Sequence, residues 1–265
     1  MLTFACQEQL LPGANLESKW DFATAAGYDA IELRGKGDLA LAKRLPELRR
    51  AAAHGVVMRT VCVDMPHFIG AFDADLRADA VRQLRSQLSV IAELGGVGAM
   101  TPASYGMFSR RLPPFDPPRG EAEDREVLLA GLTELGEHAA AEGVTLFLEP
   151  LNRYEDHMVN RLAQAADLID AVGLASVRIG ADTYHMNIEE DDPAAALTRF
   201  ARHVGHVQVS DSNRLQPGAG HLNWSAVLSA LDTIDYDGDL ALESRLRGEP
   251  AEAVASVPAF LRSLA

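Results

Sequence analysis

Short apolar runs alternate with longer amphipathic stretches along the whole chain, and this alternation predicts strands and helices in turn. Leu2–Cys6 reads as a first strand, and Asn15 caps a helix over Leu16–Ala26 that stops at Gly27. Tyr28–Leu33 is a second strand with Glu32 near its end, and Asp38 is placed to cap a helix to about Ala53. Val56–Val63 follows as a β-branched strand. Asp73 or Asp75 then opens a long helix to about Leu94, closed by Gly95 and Gly96 before the small-residue strand Val97–Thr101. The second half repeats the pattern: a helix over Glu121–Glu142, then the run Val144–Leu148, halted by Glu149 and Pro150. Asn160 or Arg161 opens a helix to Val172, and strand Val177–Ala181 ends at Asp182. Pro193 starts a helix to about His203, and Gly205–Val209 is the seventh strand. A helix over Trp224–Ile234, strand Gly238–Leu242 and helix Pro250–Leu264 complete the chain.

Strand and helix thus alternate eight times in 265 residues with no linker, repeat or low-complexity tract between them. Alternation of this kind implies parallel strands with right-handed crossovers, and about 250 residues is the usual size of a closed (β/α)8 barrel. The expectation is an α/β fold, one TIM barrel domain over residues 1–265. An open doubly wound sheet has no glycine fingerprint to support it, since Gly35-Lys-Gly37 and Gly95-Gly-Val-Gly98 lack the required pattern. Pro102–Gly120, with five prolines, is long enough for a lid or binding loop. Tyr105, Met107 and Phe108 are its candidates for closing over a substrate.

Composition narrows the partners. A net charge of −14 argues against nucleic acid, whose binding rests on lysine and arginine at phosphates. No apolar run approaches the roughly 20 residues of a membrane span, and the N-terminus lacks the features of a signal peptide. Cys6 and Cys62 lie in apolar strands, as reduced core residues of a cytoplasmic protein would.

Active sites of such barrels lie where the strands end. Glu149, Asp182, Gln208 and Glu243 each interrupt an apolar run at that point, on the fifth, sixth, seventh and eighth strands. A single acid there is ordinarily a helix cap or an ion-pair partner. Four oxygen-bearing groups on successive strand ends call for a cation, because buried carboxylates repel one another. Three carboxylates and a carboxamide oxygen suit Mg²⁺ or Mn²⁺ better than zinc.

The same residues carry a family resemblance. Glu149-Pro-Leu-Asn-Arg-Tyr-Glu155, Asp182-Thr-Tyr-His185-Met-Asn-Ile-Glu-Glu190, Gly205-His-Val-Gln208-Val-Ser-Asp-Ser-Asn-Arg214, Pro217–Trp224 and Leu242-Glu243-Ser resemble the xylose-isomerase-like sugar isomerases and epimerases. Within them, the chain is similar to the ketose 3-epimerases acting on D-tagatose and D-allulose, and to the hydroxypyruvate isomerases. The resemblance implies metal ligation by Glu149, Asp182, Gln208 and Glu243, with Glu149 and Glu243 also the acid/base pair. It implies Mn²⁺ or Mg²⁺, with Co²⁺ as a further candidate, no organic cofactor, and a homodimer or homotetramer. Glu155, His185 and Arg214 become substrate contacts, and His67, after the third strand, borders the pocket as another. Gln208 departs from the histidine of the ketose 3-epimerases and matches hydroxypyruvate isomerases instead.

The expected chemistry is C3 epimerisation of a free ketose: one glutamate removes a proton, the metal stabilises a cis-enediolate, and the other glutamate returns a proton. Alternatives are isomerisation of a small keto acid and, from another class, a non-catalytic sugar-binding barrel. A DNA-repair barrel of the same superfamily would need many histidine ligands and a basic surface, and the chain has neither. His206 is assigned a structural role, and His157 and His221 are read as loop histidines. Trp20 and Trp224 are assigned to packing, and Arg153 either braces carboxylates or touches substrate.

Overall fold

The computed structural model describes residues 2–108 and 116–264, so part of the Pro102–Gly120 loop lies outside the described residues. Eight parallel strands close on themselves in chain order: β1 Thr3–Gln7, β2 Ala30–Lys36, β3 Met58–Asp64, β4 Gly98–Pro102, β5 Thr145–Glu149, β6 Val177–Asp182, β7 Val204–Val209 and β8 Asp239–Leu242. The helices form the outer layer: α1 Leu16–Ala25, α2 Ala40–Lys43, α3 Leu45–Ala53, α4 Ala74–Glu93, α5 Glu121–Glu142, α6 Leu162–Val172, α7 Thr183–Glu189, α8 Pro193–Arg199, α9 Trp224–Thr233 and α10 Pro250–Arg262. The strands are apolar on both faces because each is covered by barrel interior on one side and helices on the other. Leu84, Leu88 and Ile91 of α4 and Leu128, Leu132 and Leu135 of α5 are buried in this way. Among the described residues no helix is long and apolar enough to cross a membrane. Cys6 and Cys62 are free thiols.

Local signals set most helix boundaries. Asn15 Oδ1 accepts from Ser18 N at 2.8 Å, Asp73 caps α4 by accepting from Asp75 and Leu76, and Pro193 lies in the first turn of α8 behind the cap Asp192. Two expectations fail. Asp38 caps nothing: it and Leu39 have φ of 58° and 53°, and the expected single helix is split into α2 and α3, with Pro46 in the first turn of α3. Helix α7 arises directly from the end of β6, in a stretch where no helix was expected. Asp182 explains it, since its Oδ1 accepts from Tyr184 N at 2.8 Å and caps the turn.

Register fixes the level of the strand ends. Pro102 pairs with Glu149, Asp182 with Gln208, and Val209 with Leu242, so Glu243 follows at the same end. Register shifts occur at only two strand pairs among the described residues. β2–β3 pairs Ile31 with Met58 and then Glu32 with Thr60, passing over Arg59; β6–β7 pairs Ile179 with Val204 and then Gly180 with His206, passing over Gly205. Shifts of this kind re-aim side chains without breaking a sheet.

Where β4 meets β5, Gly98 has no room for a side chain, because a Cβ would lie 2.0 Å from the Thr145 carbonyl oxygen. Gly98→Ala should therefore destabilise the barrel by about 1–3 kcal/mol or more. Chemical denaturation with an unchanged midpoint would contradict this close packing.

Candidate active site

Glu149 is the last residue of β5, and Pro150 turns the chain out of the sheet. The loop beyond it carries Asn152 and Glu155, and is fastened to α7. Arg153 donates to Glu189 through its backbone N at 2.7 Å and its side chain at 2.8 and 2.9 Å. Leu162 N donates to Glu190 Oε1 at 2.8 Å. Arg153 is thus a brace, and the two glutamates ending the Asp182–Glu190 motif hold the loop.

Three residues after Asp182, α7 turns His185 back toward the strand ends. His185 Nε2 lies 3.7 Å from Glu149 Oε1, 3.7 Å from Asp182 Oδ2 and 3.9 Å from Glu155 Oε2. The other ring nitrogen, Nδ1, accepts from Asn152 N at 3.0 Å and lies 2.8 Å from its Nδ2. Burial lowers the His185 pKa to about 4, so the ring is neutral. With Nδ1 an acceptor, the proton sits on Nε2. Glu149, Asp182 and His185 have donor atoms within 4.8 Å of one another and could hold a metal together. The tautomer argues otherwise for the histidine: a protonated Nε2 donates to oxygen and has no lone pair for a cation.

Arg214 bridges the acids, pairing Nη1 with Asp182 Oδ2 and placing Nη2 at 3.0 Å from Glu243 Oε1. Its guanidinium carbon stands 4.9 Å from the Tyr184 ring centroid. The residue holds a left-handed backbone, φ 61°, unusual for a bulky side chain. Asp211 makes that loop rigid, accepting from the backbone of Ser212, Gly218 and Leu222 and from Trp224 Nε1. Burial pushes the Glu149 carboxyl well above the usual range, with Glu243 and Asp182 adding to it. Burial also lifts Glu243 to about 7, against the pull of Arg214.

The buried oxygens here without a hydrogen-bond partner among the described residues include Gln208 Oε1 and Glu243 Oε2. Unpartnered buried oxygens beside mutually repelling carboxylates are what a hard cation would satisfy, so the donor set Glu149, Asp182, Gln208 and Glu243 fits Mg²⁺ or Mn²⁺. The strand ends open onto a cavity of about 550 Å³. Glu149, Glu155, His185, Arg214 and Glu243 line it, together with Gln9, Phe68, Tyr105, Asn213 and Arg245.

The remaining expectations sort by position. His67 is not among the lining residues, although its neighbours Met65 and Phe68 are. Of the lid candidates, Tyr105 lines the cavity, while Phe108 packs edge-on against the buried His157 with ring centroids 5.3 Å apart. His206 points at Glu32, His221 Nδ1 lies 2.9 Å from Ser212 Oγ, and Trp224 packs in the core. Sequence reasoning passed over Asn152, which fixes the His185 tautomer, and Arg245 at the rim, neither of which interrupts an apolar run. It also left Glu32 without a role, although Glu32 breaks a strand just as Glu149 does.

A family model for the xylose isomerase-like TIM barrel matches residues 20–264. A 3-dehydro-D-guloside 4-epimerase of Escherichia coli is 38% identical over 259 residues, covering 97% of this chain and 98% of the relative. An L-ribulose 3-epimerase of Mesorhizobium japonicum is 31% identical over 228 residues, covering 83% of this chain and 72% of the relative. Among solved structures, a 3-keto-D-glucoside 4-epimerase from E. coli superposes with a TM-score of 0.94 at 36% identity, covering 99% of this chain and all of that one (100%). With its closed eight-stranded barrel and acids gathered at the strand ends, the chain belongs to the xylose isomerase-like TIM barrel family and is an enzyme of its isomerase and epimerase kind.

Proposed function

We propose that this enzyme inverts a sugar at the hydroxyl-bearing carbon beside a ketone, with a divalent cation held by Glu149, Asp182, Gln208 and Glu243. The observation that carries the proposal is the pair of carboxylates, Glu149 and Glu243, that face one cavity from β5 and from the end of β8. When bound, the cation draws electron density from the ketone and the neighbouring hydroxyl and so acidifies the C–H of the hydroxyl-bearing carbon. One glutamate, as carboxylate, takes that proton from one face of the sugar; the other, as carboxylic acid, gives a proton to the opposite face. His185 donates its Nε2 proton toward the oxygen that gains charge, and Glu155 accepts from a hydroxyl at the cavity's open side. Arg214 keeps Asp182 and Glu243 in place between turnovers.

The substrate favoured is a 3-keto-hexoside epimerised at C4. The relatives matched end to end are named for that chemistry, and the cavity runs on past the acids to Gln9, Asn213 and Arg245, where a glycosidic substituent could rest. A free ketose epimerised at C3 is the second reading, favoured by the ribulose epimerase relative; it presents the same hydroxyketone to the same carboxylates. An uncharged sugar is preferred to a phosphosugar. Asp64, Glu149, Glu155 and Glu243 line the cavity, while Arg214 is already engaged by two acids.

Incubation in deuterium oxide with Mn²⁺ should place deuterium at C4 of a 3-keto-glucoside, read by NMR, faster than at C3 of D-tagatose or D-fructose. Exchange confined to the free ketoses would overturn the glycoside substrate, and exchange with neither would overturn the reaction. Glu149→Gln and Glu243→Gln should each lower turnover by about 10²–10⁴-fold while the sugar still binds. Unchanged turnover would leave only a sugar-binding barrel.

A pH dependence follows from the raised carboxyls. Below the Glu243 pKa of about 7 the metal-free site holds protons that a cation must displace. Affinity for Mn²⁺ should therefore fall as pH drops, by roughly tenfold per unit for each proton released. Calorimetric titrations at about pH 8 and pH 6 should show weaker binding and more protons released at the lower value. Equal affinity at both would mean these carboxyls are already ionised without metal.

A further inference from the structure

Below the acids that face the cavity lies a second polar layer inside the barrel, centred on Glu32 of β2. This carboxylate is fully buried and accepts from four side chains on three other strands. Gln7 Nε2 lies 3.2 Å and Gln208 Nε2 2.7 Å from its Oε1; Thr60 Oγ1 and His206 Nε2 each lie 2.8 Å from its Oε2. Both register shifts of the barrel fall at this layer. One pairs Glu32 with Thr60, and the other brings His206 level with Gly180, two residues before Gln208. The sheet is thus locally re-aimed to converge on an acid that the proposed proton transfers do not use.

What the layer does is visible at Gln208. A carboxamide has one donor end and one acceptor end, and either can face a given neighbour. A carboxylate ringed by donors only accepts, so it draws the Gln208 NH₂ group down toward β2. The carboxamide oxygen is then turned away, buried and without a hydrogen-bond partner among the described residues. It sits on the strand whose neighbour presents Asp182 at the same level, and beside Cys62, which lines the cavity. We propose that Glu32 is a positioning residue: it locks the Gln208 carboxamide with the oxygen toward the cation site, making a flippable side chain a fixed ligand. This inference rests on the divalent-cation reading above. In physical terms, partners behind a ligand set its orientation and commonly matter for metal affinity by about 10–100-fold.

The test reads metal binding, with free Mn²⁺ followed by electron paramagnetic resonance. Glu32→Gln keeps the shape but offers a donor and an acceptor, so the Gln208 amide loses its preferred sense. Mn²⁺ affinity should fall roughly 10–100-fold. Removing a negative charge near a cation would also weaken binding, so the same change is made on a Gln208→Ala background. There the loss should shrink to about twofold, because no carboxamide remains to be oriented. An equal loss on both backgrounds would overturn the proposal. The exchange Glu32→Gln with Gln208→Glu keeps the net charge and needs no orientation, since either oxygen of a carboxylate can ligate. It should bind Mn²⁺ at least tenfold more tightly than Glu32→Gln alone, and binding no tighter would count against positioning. A wild-type protein that binds no Mn²⁺ would overturn both this inference and the cation reading; one that binds without coupling between Glu32 and Gln208 would overturn this inference alone.

Discussion

Glu149, Asp182 and Glu243 come together at one end of the barrel, the first two buried and the third partly exposed to the cavity, and their mutual repulsion is the constraint the rest of the site answers to. Burying one unpaired carboxylate is costly, and burying three together is worse unless positive charge or protons offset them. Arg214 supplies part of that charge by spanning Asp182 and Glu243. Its left-handed backbone is maintained by a loop that Asp211 ties together at four points. Retained protons supply another part in the metal-free site, where burial raises the Glu149 and Glu243 carboxyls.

The barrel makes this concentration of charge affordable by separating it from the apolar core. Below the strand ends the barrel interior holds small residues such as Ala5, Ala30 and Ala241, while Phe4, Ile31 and Leu33, on the opposite strand face, pack in the main apolar core with the helices. Glu32, a charged group within that interior, has every lone-pair direction answered by a donor from Gln7, Thr60, His206 or Gln208. Its carboxyl is held below the usual range despite burial, with His206 the largest influence opposing desolvation. The two acid layers therefore differ. Glu32 is saturated with partners, whereas Glu243 in the upper layer keeps a buried oxygen without a hydrogen-bond partner among the described residues.

The barrel itself was legible because alternation of apolar runs and amphipathic stretches carries direct information about parallel strands. Glu149, Asp182, Gln208 and Glu243 were legible for a related reason: each breaks an apolar run where a strand must end. The missed features all depend on contacts distant in sequence. His185 Nδ1 meets Asn152, 33 positions away, and Gln208 meets Glu32, 176 positions away, so neither tautomer nor amide sense could be read from local pattern. Asp38 misled for a local reason: it has the right chemistry for a cap but sits in a left-handed turn, where its side chain faces no free backbone N–H. His67 misled by proximity along the chain, since the loop turns Met65 and Phe68 inward and leaves it outside.

Relatives named for C3 and for C4 epimerisation both match this chain, and the proposed reaction would let one constellation serve two carbon numbers. In the proposed reaction the carboxylates would respond to a ketone and the carbinol beside it, a unit that looks the same whichever carbons carry it. What changes between a keto-glycoside and an open ketose is the remainder of the molecule, for which the cavity offers Gln9, Asn213 and Arg245. On that proposal regiochemistry would be decided away from the reacting atoms, by which substituent that wall accepts. The departure of Gln208 from the histidine of ketose 3-epimerases fits this division. With Gln208 as the proposed ligand, Glu32 behind it would supply the orientation that a carboxamide does not possess on its own.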